Sequence, residues 1–194
     1  MPDTGAPWNI PYVAGTDLVS DWPTDSQTIA EAVADGLDGA FSLVDVKSVV
    51  LTSVFSASVT AGASTLVTGL TIDHACADAA NKVVLFTSCP GANSDNGYHN
   101  IALNAGGTLL NLGDAASNRT RVATAIQTAG VSTSALSLMA VHSPASTSTI
   151  TYGVSAINVS NSTRTVYVNR GLDDGDFTTR PRTSSILVLM EVTV

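Results

Sequence analysis

"ITYGVSAI", Ile150 to Ile157, places Ile150, Tyr152, Val154 and Ala156 on one face of an extended chain. Side chains alternate across a strand, so this period of two predicts a β-strand with one buried face. The same grammar extends outward in both directions. From Val46 onward, short runs rich in Val, Thr, Ile and Leu are separated by clusters of Gly, Asn, Asp and Ser, the pattern of strands punctuated by turns. Strands are expected near residues 49–59, 66–73, 83–87, 99–103, 108–112, 121–127, 136–141, 149–157, 165–169 and 185–192. Asn104-Ala-Gly-Gly107 and Ser160-Asn-Ser-Thr163 read as hairpin turns, because Gly and Asn tolerate the positive φ that such turns require. Short strands without intervening helices indicate a sandwich, jelly roll or barrel. The last of them, "SSILVLMEV", reads as buried on both faces, since Ile186, Leu187, Val188, Leu189 and Met190 leave no polar side.

The first 45 residues follow different rules. Pro2, Pro7, Pro11 and Pro23 with Gly5 and Gly15 break regular structure and favour an extended arm, while Trp8, Ile10, Tyr12 and Val13 give it groups to bury. Thr24 and Gln27 form a capping-box pattern ahead of Ile29, Val33, Leu37 and Ala40 or Phe41 at helical spacing, which predicts one short helix. Its apolar stripe is narrow, so it needs either its own core or copies of itself.

Charge separates the same two parts. Charged residues make up 12% of the 194, about half the usual share. Asp3, Asp17, Asp21, Asp25, Glu31, Asp35, Asp38 and Asp45 all precede the first basic residue, Lys47, so the net charge of −8 belongs to the N-terminal part. Without a basic stripe to neutralise phosphates, nucleic acid is not an expected partner. No apolar run reaches membrane-spanning length, and "MPDTGAPWNI" lacks the basic and apolar regions of a secretory signal, so neither membrane insertion nor export is expected. On that footing the glycosylation patterns at Asn118, Asn158 and Asn161 read as chance matches. Cys76 and Cys89 bracket the strand "KVVLFTS"; if "TLVTGLTIDH" pairs with it as a hairpin, the two lie too far apart for a disulfide and stay reduced thiols.

Several residues raise chemical questions. After a stretch from Arg121 to Arg164 with no charge between them, Arg170, Asp173, Asp174, Asp176, Arg180 and Arg182 arrive together. Asp173, Asp174 and Asp176 offer the hard oxygens that Ca2+ accepts, though without the EF-hand spacing; the alternative is a solvated loop whose carboxylates pair with the arginines. His74, His99 and His142 each sit near a strand end, and no G-x-S-x-G or other catalytic pattern accompanies them, so structural or surface roles and a non-enzymatic protein are expected. Arg121 opens a strand, and Glu191 inside the last apolar run is its expected partner.

"VTGLTID", "NKVVLFTS", "GDAASNRTRV", "VHSPASTSTITYGV", "RTVYVNRGLDDGD" and "SSILVLMEV", in that order, resemble a domain of virion fibre and tail proteins of tailed bacteriophages, over roughly residues 48–194. "IPYVAGTDLVSDWPTDSQTIAEAVADGLD" separately resembles the leader of small phage structural proteins. The resemblance implies a tumour-necrosis-factor-like jelly roll forming a homotrimer, with residues 1–45 as anchor and 46–194 as β domain. The expected fold is therefore mainly β, a jelly-roll sandwich with an N-terminal extended arm and one short α-helix. Trp8, Ile10, Tyr12, Ile29, Val33 and Leu37 become the virion-anchoring residues. The implied partners are other copies of the chain, tail or capsid proteins, and host-surface carbohydrate, in a virion assembled in the host cytoplasm. Tyr98, flanked by Asn96 and His99, is the aromatic best placed to stack on a sugar. A capsid-cementing trimer and a free carbohydrate-binding module or hydrolase are the competing expectations.

Overall fold

The structure is a computed structural model that describes residues 27–33, 42–94, 98–127 and 133–193. Residues 27–33 form a helical segment in which Gln27 Nε2 donates to Glu31 Oε1 at 2.8 Å, one turn on. Trp8, Ile10, Tyr12 and Leu37 lie outside the described residues, as does Asn96. The chain divides into two compact units, and the β unit runs from Leu43 to Val192, starting slightly ahead of Val46.

Among the described residues, eleven strands build that unit: β1 (Leu43–Leu51), β2 (Phe55–Val59), β3 (Ser64–His74), β4 (Lys82–Asn93), β5 (Tyr98–Ala105), β6 (Thr108–Leu109), β7 (Thr124–Gln127), β8 (Ser134–His142), β9 (Ile150–Ile157), β10 (Arg164–Val168) and β11 (Ser185–Val192). In the first sheet β4 is central. One edge of β4 pairs with β8, and the other pairs first with β11 and then, beyond Ser88, with β10. β11 and β10 pass their outer edges to β1 and β2. The second sheet runs β3, β9, β5, with β6 and β7 sharing the far edge of β5. All pairings are antiparallel, and most connections cross from one sheet to the other. This is a jelly-roll sandwich.

The core follows from the alternation. Val83, Leu85, Leu187 and Leu189 from one sheet and Ile101, Leu103, Tyr152 and Val154 from the other are essentially fully buried, and each such side chain contributes ~1.5–3 kcal/mol by leaving water. The face of "ITYGVSAI" expected to be buried is the one in the core. At the Asn104–Gly107 turn, φ is 56° at Gly106 and 92° at Gly107, and Asn104 Oδ1 accepts from the Gly107 amide at 2.9 Å.

Other expectations are corrected. β3 pairs with β9, not with β4, so the proposed hairpin around the cysteines does not form; both cysteines are nonetheless buried and unpaired. Ser160–Thr163 is not a hairpin turn, because β9 and β10 belong to different sheets. Asn158 organises that crossing: its Nδ2 donates to the carbonyls of Val59, Thr60 and Ser162, and it is wholly buried. β11 is buried on one face only, with Ile186 37% exposed.

The first sheet contains a planned break. β1 and β2 are two halves of one run interrupted at residues 52–54, and β10 and β11 are two halves of another interrupted by residues 169–184. Asn169 closes the neck of that excursion. Its φ is 66° and it is 1% exposed. Nδ2 donates to Leu51 O at 2.7 Å and Ser53 O at 2.9 Å, Oδ1 accepts from Ser185 Oγ at 2.7 Å, and the amide donates to Pro90 O at 2.8 Å. Asn tolerates the left-handed region better than other side-chain-bearing residues. Replacing it by Ala strands buried carbonyls and keeps the strained φ, so N169A is expected to lose about 3 kcal/mol of unfolding free energy in urea titrations. N169G, which relieves only the backbone, should recover a minor part of that loss.

Candidate functional site

Three features stand apart from the core. The first is a buried polar network where β3, β11 and the segment before β4 meet. Glu191 is 1% exposed. Its Oε1 accepts from the Ala77 amide at 2.8 Å and from Asn81 Nδ2 at 2.6 Å, while Oε2 meets His74 Nε2 at 2.9 Å. On the other side of the imidazole, Asp45 Oδ2 lies 3.6 Å from Nδ1. Arg121 is elsewhere: it is exposed and donates Nε to Gly113 O. The expected Arg121–Glu191 pair is therefore absent, and neutral donors plus a histidine compensate the carboxylate. The sequence could not show this, since the donors come from an irregular segment, residues 75–81, that alternation does not describe.

Burial alone would raise the Glu191 pKa, but the bonds from Asn81, Ala77 and His74 outweigh it and hold the group below its ordinary 4.5. His74, Cys76 and Glu191 bring a nitrogen, a sulfur and an oxygen within 4.8 Å of one another, a donor set that zinc accepts. Both Glu191 oxygens are nevertheless engaged by protein donors, so the network closes on itself. Burial pushes the thiol of Cys76 up, helped by Glu191, and that of Cys89 up to about 11; neither is an activated nucleophile. Tyr152, whose hydroxyl is 3.1 Å from His142 Nδ1, is pushed up to about 12 by burial and by Cys76 and Glu191.

The second feature is the outward face of the first sheet. Register aligns Val46, Met190, Val84 and Val141 in one row across β1, β11, β4 and β8, and Ser48, Val188, Phe86 and Met139 in the next. Val50, Ile186, Ser88 and Ser137 make a third. No charged side chain occurs in these three rows. Met139 is 57% exposed, Val50 55% and Val141 52%. The outward positions of the second sheet differ: Thr71, Asp73 and Thr151 are polar and reach solvent, while Asn100, Asn104 and Ser155 are polar but buried, and Thr151 Oγ1 donates to Asp73 Oδ1 at 2.6 Å.

The third is the excursion itself. Arg180 pairs with Asp173, while Arg170 and Arg182 both reach Asp174, at 3.2 and 2.7 Å. The Arg180 bond and the Gly175 amide hold the Asp173 carboxyl below its usual range. Two of the three carboxylates considered for Ca2+ are thus occupied by guanidinium groups, the alternative the sequence left open. Arg170 also lies 4.3 Å from the centre of the Tyr167 ring. Tyr167 alternates with the core residues Val166 and Val168, so the excursion rises on the outward face of the first sheet.

Of the residues read as sugar contacts, Tyr98 is 49% exposed, but His99 is 2% exposed and turns inward, its Nε2 2.9 Å from Cys89 O. Gly91 makes room for that ring: a Cβ there would sit 2.5 Å from His99 Cε1 and 2.3 Å from Tyr167 O. Burial lowers the His99 pKa, which suits a neutral structural ring. Of the helical residues expected to anchor the chain, Ile29 is half-buried and Val33 is 39% exposed.

No protein-family model matches the chain, and comparison with curated proteins likewise gives no match.

A carboxylate depressed on folding stabilises fully above its unfolded pKa and loses that contribution as pH falls through the folded value. E191Q is therefore expected to cost about 2 kcal/mol at neutral pH, with the gap from the parent closing as pH drops below about 4.5, the ordinary glutamate value. Urea melts across acidic pH measure that convergence.

Proposed function

We propose that this chain is a non-enzymatic structural protein of a bacteriophage particle, a homotrimeric spike whose acidic N-terminal part docks to the virion and whose jelly roll is displayed outward. The supporting observation is the asymmetry of the sandwich. One outer face meets solvent through the polar Thr71, Asp73 and Thr151, and the other presents three uncharged rows in which Val46, Val50, Phe86, Met139, Val141 and Ile186 are each more than a third exposed. Contiguous apolar surface of this kind marks an interaction site. A partner always present at matching concentration from synthesis onward is another copy of the same chain, and obligate homo-oligomer interfaces are the most apolar class. The sparse charge of the chain, 12%, agrees with subunits packed against each other. The resemblance of its segments to phage fibre and tail domains supports the particle assignment.

Charge placed in the apolar rows tests the reading. Met139→Glu together with Val46→Lys lies on exposed positions, so the fold, followed by circular dichroism, should persist while analytical ultracentrifugation shows trimer becoming monomer. A parent chain that sediments as a monomer would sink the assembly. Counting copies per particle separates a fibre, with few, from a capsid-cementing protein, with hundreds.

A further inference from the structure

Residues 169–184 exceed the about 12–15 residues beyond which an irregular loop in a compact domain is usually functional or disordered. This one is ordered by its own contacts, through the Asn169 neck and three arginine–aspartate pairs. Its order leaves a cleft of about 260 Å³ lined by Asp174, Gly175, Asp176, Phe177, Arg180 and Arg182. That is slightly below the 300 Å³ or so at which drug-sized pockets begin, and the lining is mostly polar. A small, hydroxylated ligand matches it better than an apolar one.

The side chains narrow the class further. Phe177 is 64% exposed. The Arg180 guanidinium lies 4.8 Å from the centre of its ring, and most of the side chain stays open to solvent. Gly175 permits this placement, because a Cβ there would fall 2.8 Å from Phe177 Cε2. An open aromatic face stacks on the C–H face of a ring. Asp176 makes no ion pair among the described residues and supplies a carboxylate acceptor for hydroxyl protons. Arg182, with a side chain 56% exposed, supplies a donor as well. Three arginines and three aspartates leave the excursion without net charge.

We infer that this cleft binds the ring of a neutral saccharide, stacked on Phe177, with its hydroxyls donating to Asp176 and accepting from Arg182. The inference gives the displayed domain a ligand and rests on the spike reading only for its biological setting. The probes are glucose, galactose, N-acetylglucosamine and, as the anionic control, sialic acid, each tested by saturation-transfer NMR on the full-length protein. At least one neutral sugar is expected to bind, with Kd raised tenfold or more in F177A and in D176N. The neutral sugars failing to bind, sialic acid binding alone, or affinity unchanged in both variants would overturn the site. Sedimentation of the same variants should match the parent; the spike reading stands or falls on that oligomeric state, whatever the sugar result.

Discussion

A side-chain amide holds the first sheet together at the point where its strands stop. Asn169 joins the end of β1 through Leu51, the following break through Ser53, β4 through Pro90 and the start of β11 through Ser185. Without such a group, the gap between β10 and β11 would expose carbonyls inside the sandwich, each costing about 1–3 kcal/mol unpaired. Pro90 fits the same design. It sits in the middle of a central strand, where proline normally removes a ladder bond, but it stands where the neighbouring partner changes from β11 to β10, and its carbonyl is taken by the Asn169 amide.

The break has a purpose that a continuous strand could not serve. It lets a long excursion leave the sheet beside the apolar rows while β11 still reaches its register against β1 and β4. β11 then works on both sides. Leu187, Leu189 and Glu191 face inward, and Ile186, Val188 and Met190 face outward. The inward carboxylate binds the segment before β4 and the end of β3, so the strand that carries the outward surface is fixed across the sandwich by a buried network as well as by ladder bonds. A surface used for assembly gains from that rigidity, because less freedom is lost on association.

Much of this was legible in the sequence, and the failures share a cause. Alternation in Ile150–Ile157 and the turn at Asn104–Gly107 are local signals, and both match the structure. Pairing is not local: nothing in "TLVTGLTIDH" indicates β9 rather than β4 as its neighbour. The run Ile186–Met190 was read as buried twice over because an apolar side chain looks the same whether it meets its own core or another subunit. His99 reads in the sequence as a flank of the Tyr98 sugar platform, whereas Gly91, across the sandwich, leaves the space its ring occupies inside. Glu191 was matched to a distant arginine because charge suggests charge, yet an asparagine and a backbone amide do most of the work.

The apolar rows and the ion-paired excursion constrain each other. Both lie on the outward side of the first sheet, with Arg170 against Tyr167 on one part and Met139, Phe86 and Val46 on another. If copies of the chain pack through the uncharged rows, the excursion belongs at the rim, where water remains and exposed charge pairs contribute little to affinity. Its internal neutralisation then has a physical reason. Three arginines and three aspartates within one loop cancel and leave no net charge to repel the same loop on a neighbouring copy, so assembly can bring identical excursions near one another while Phe177 stays open to solvent.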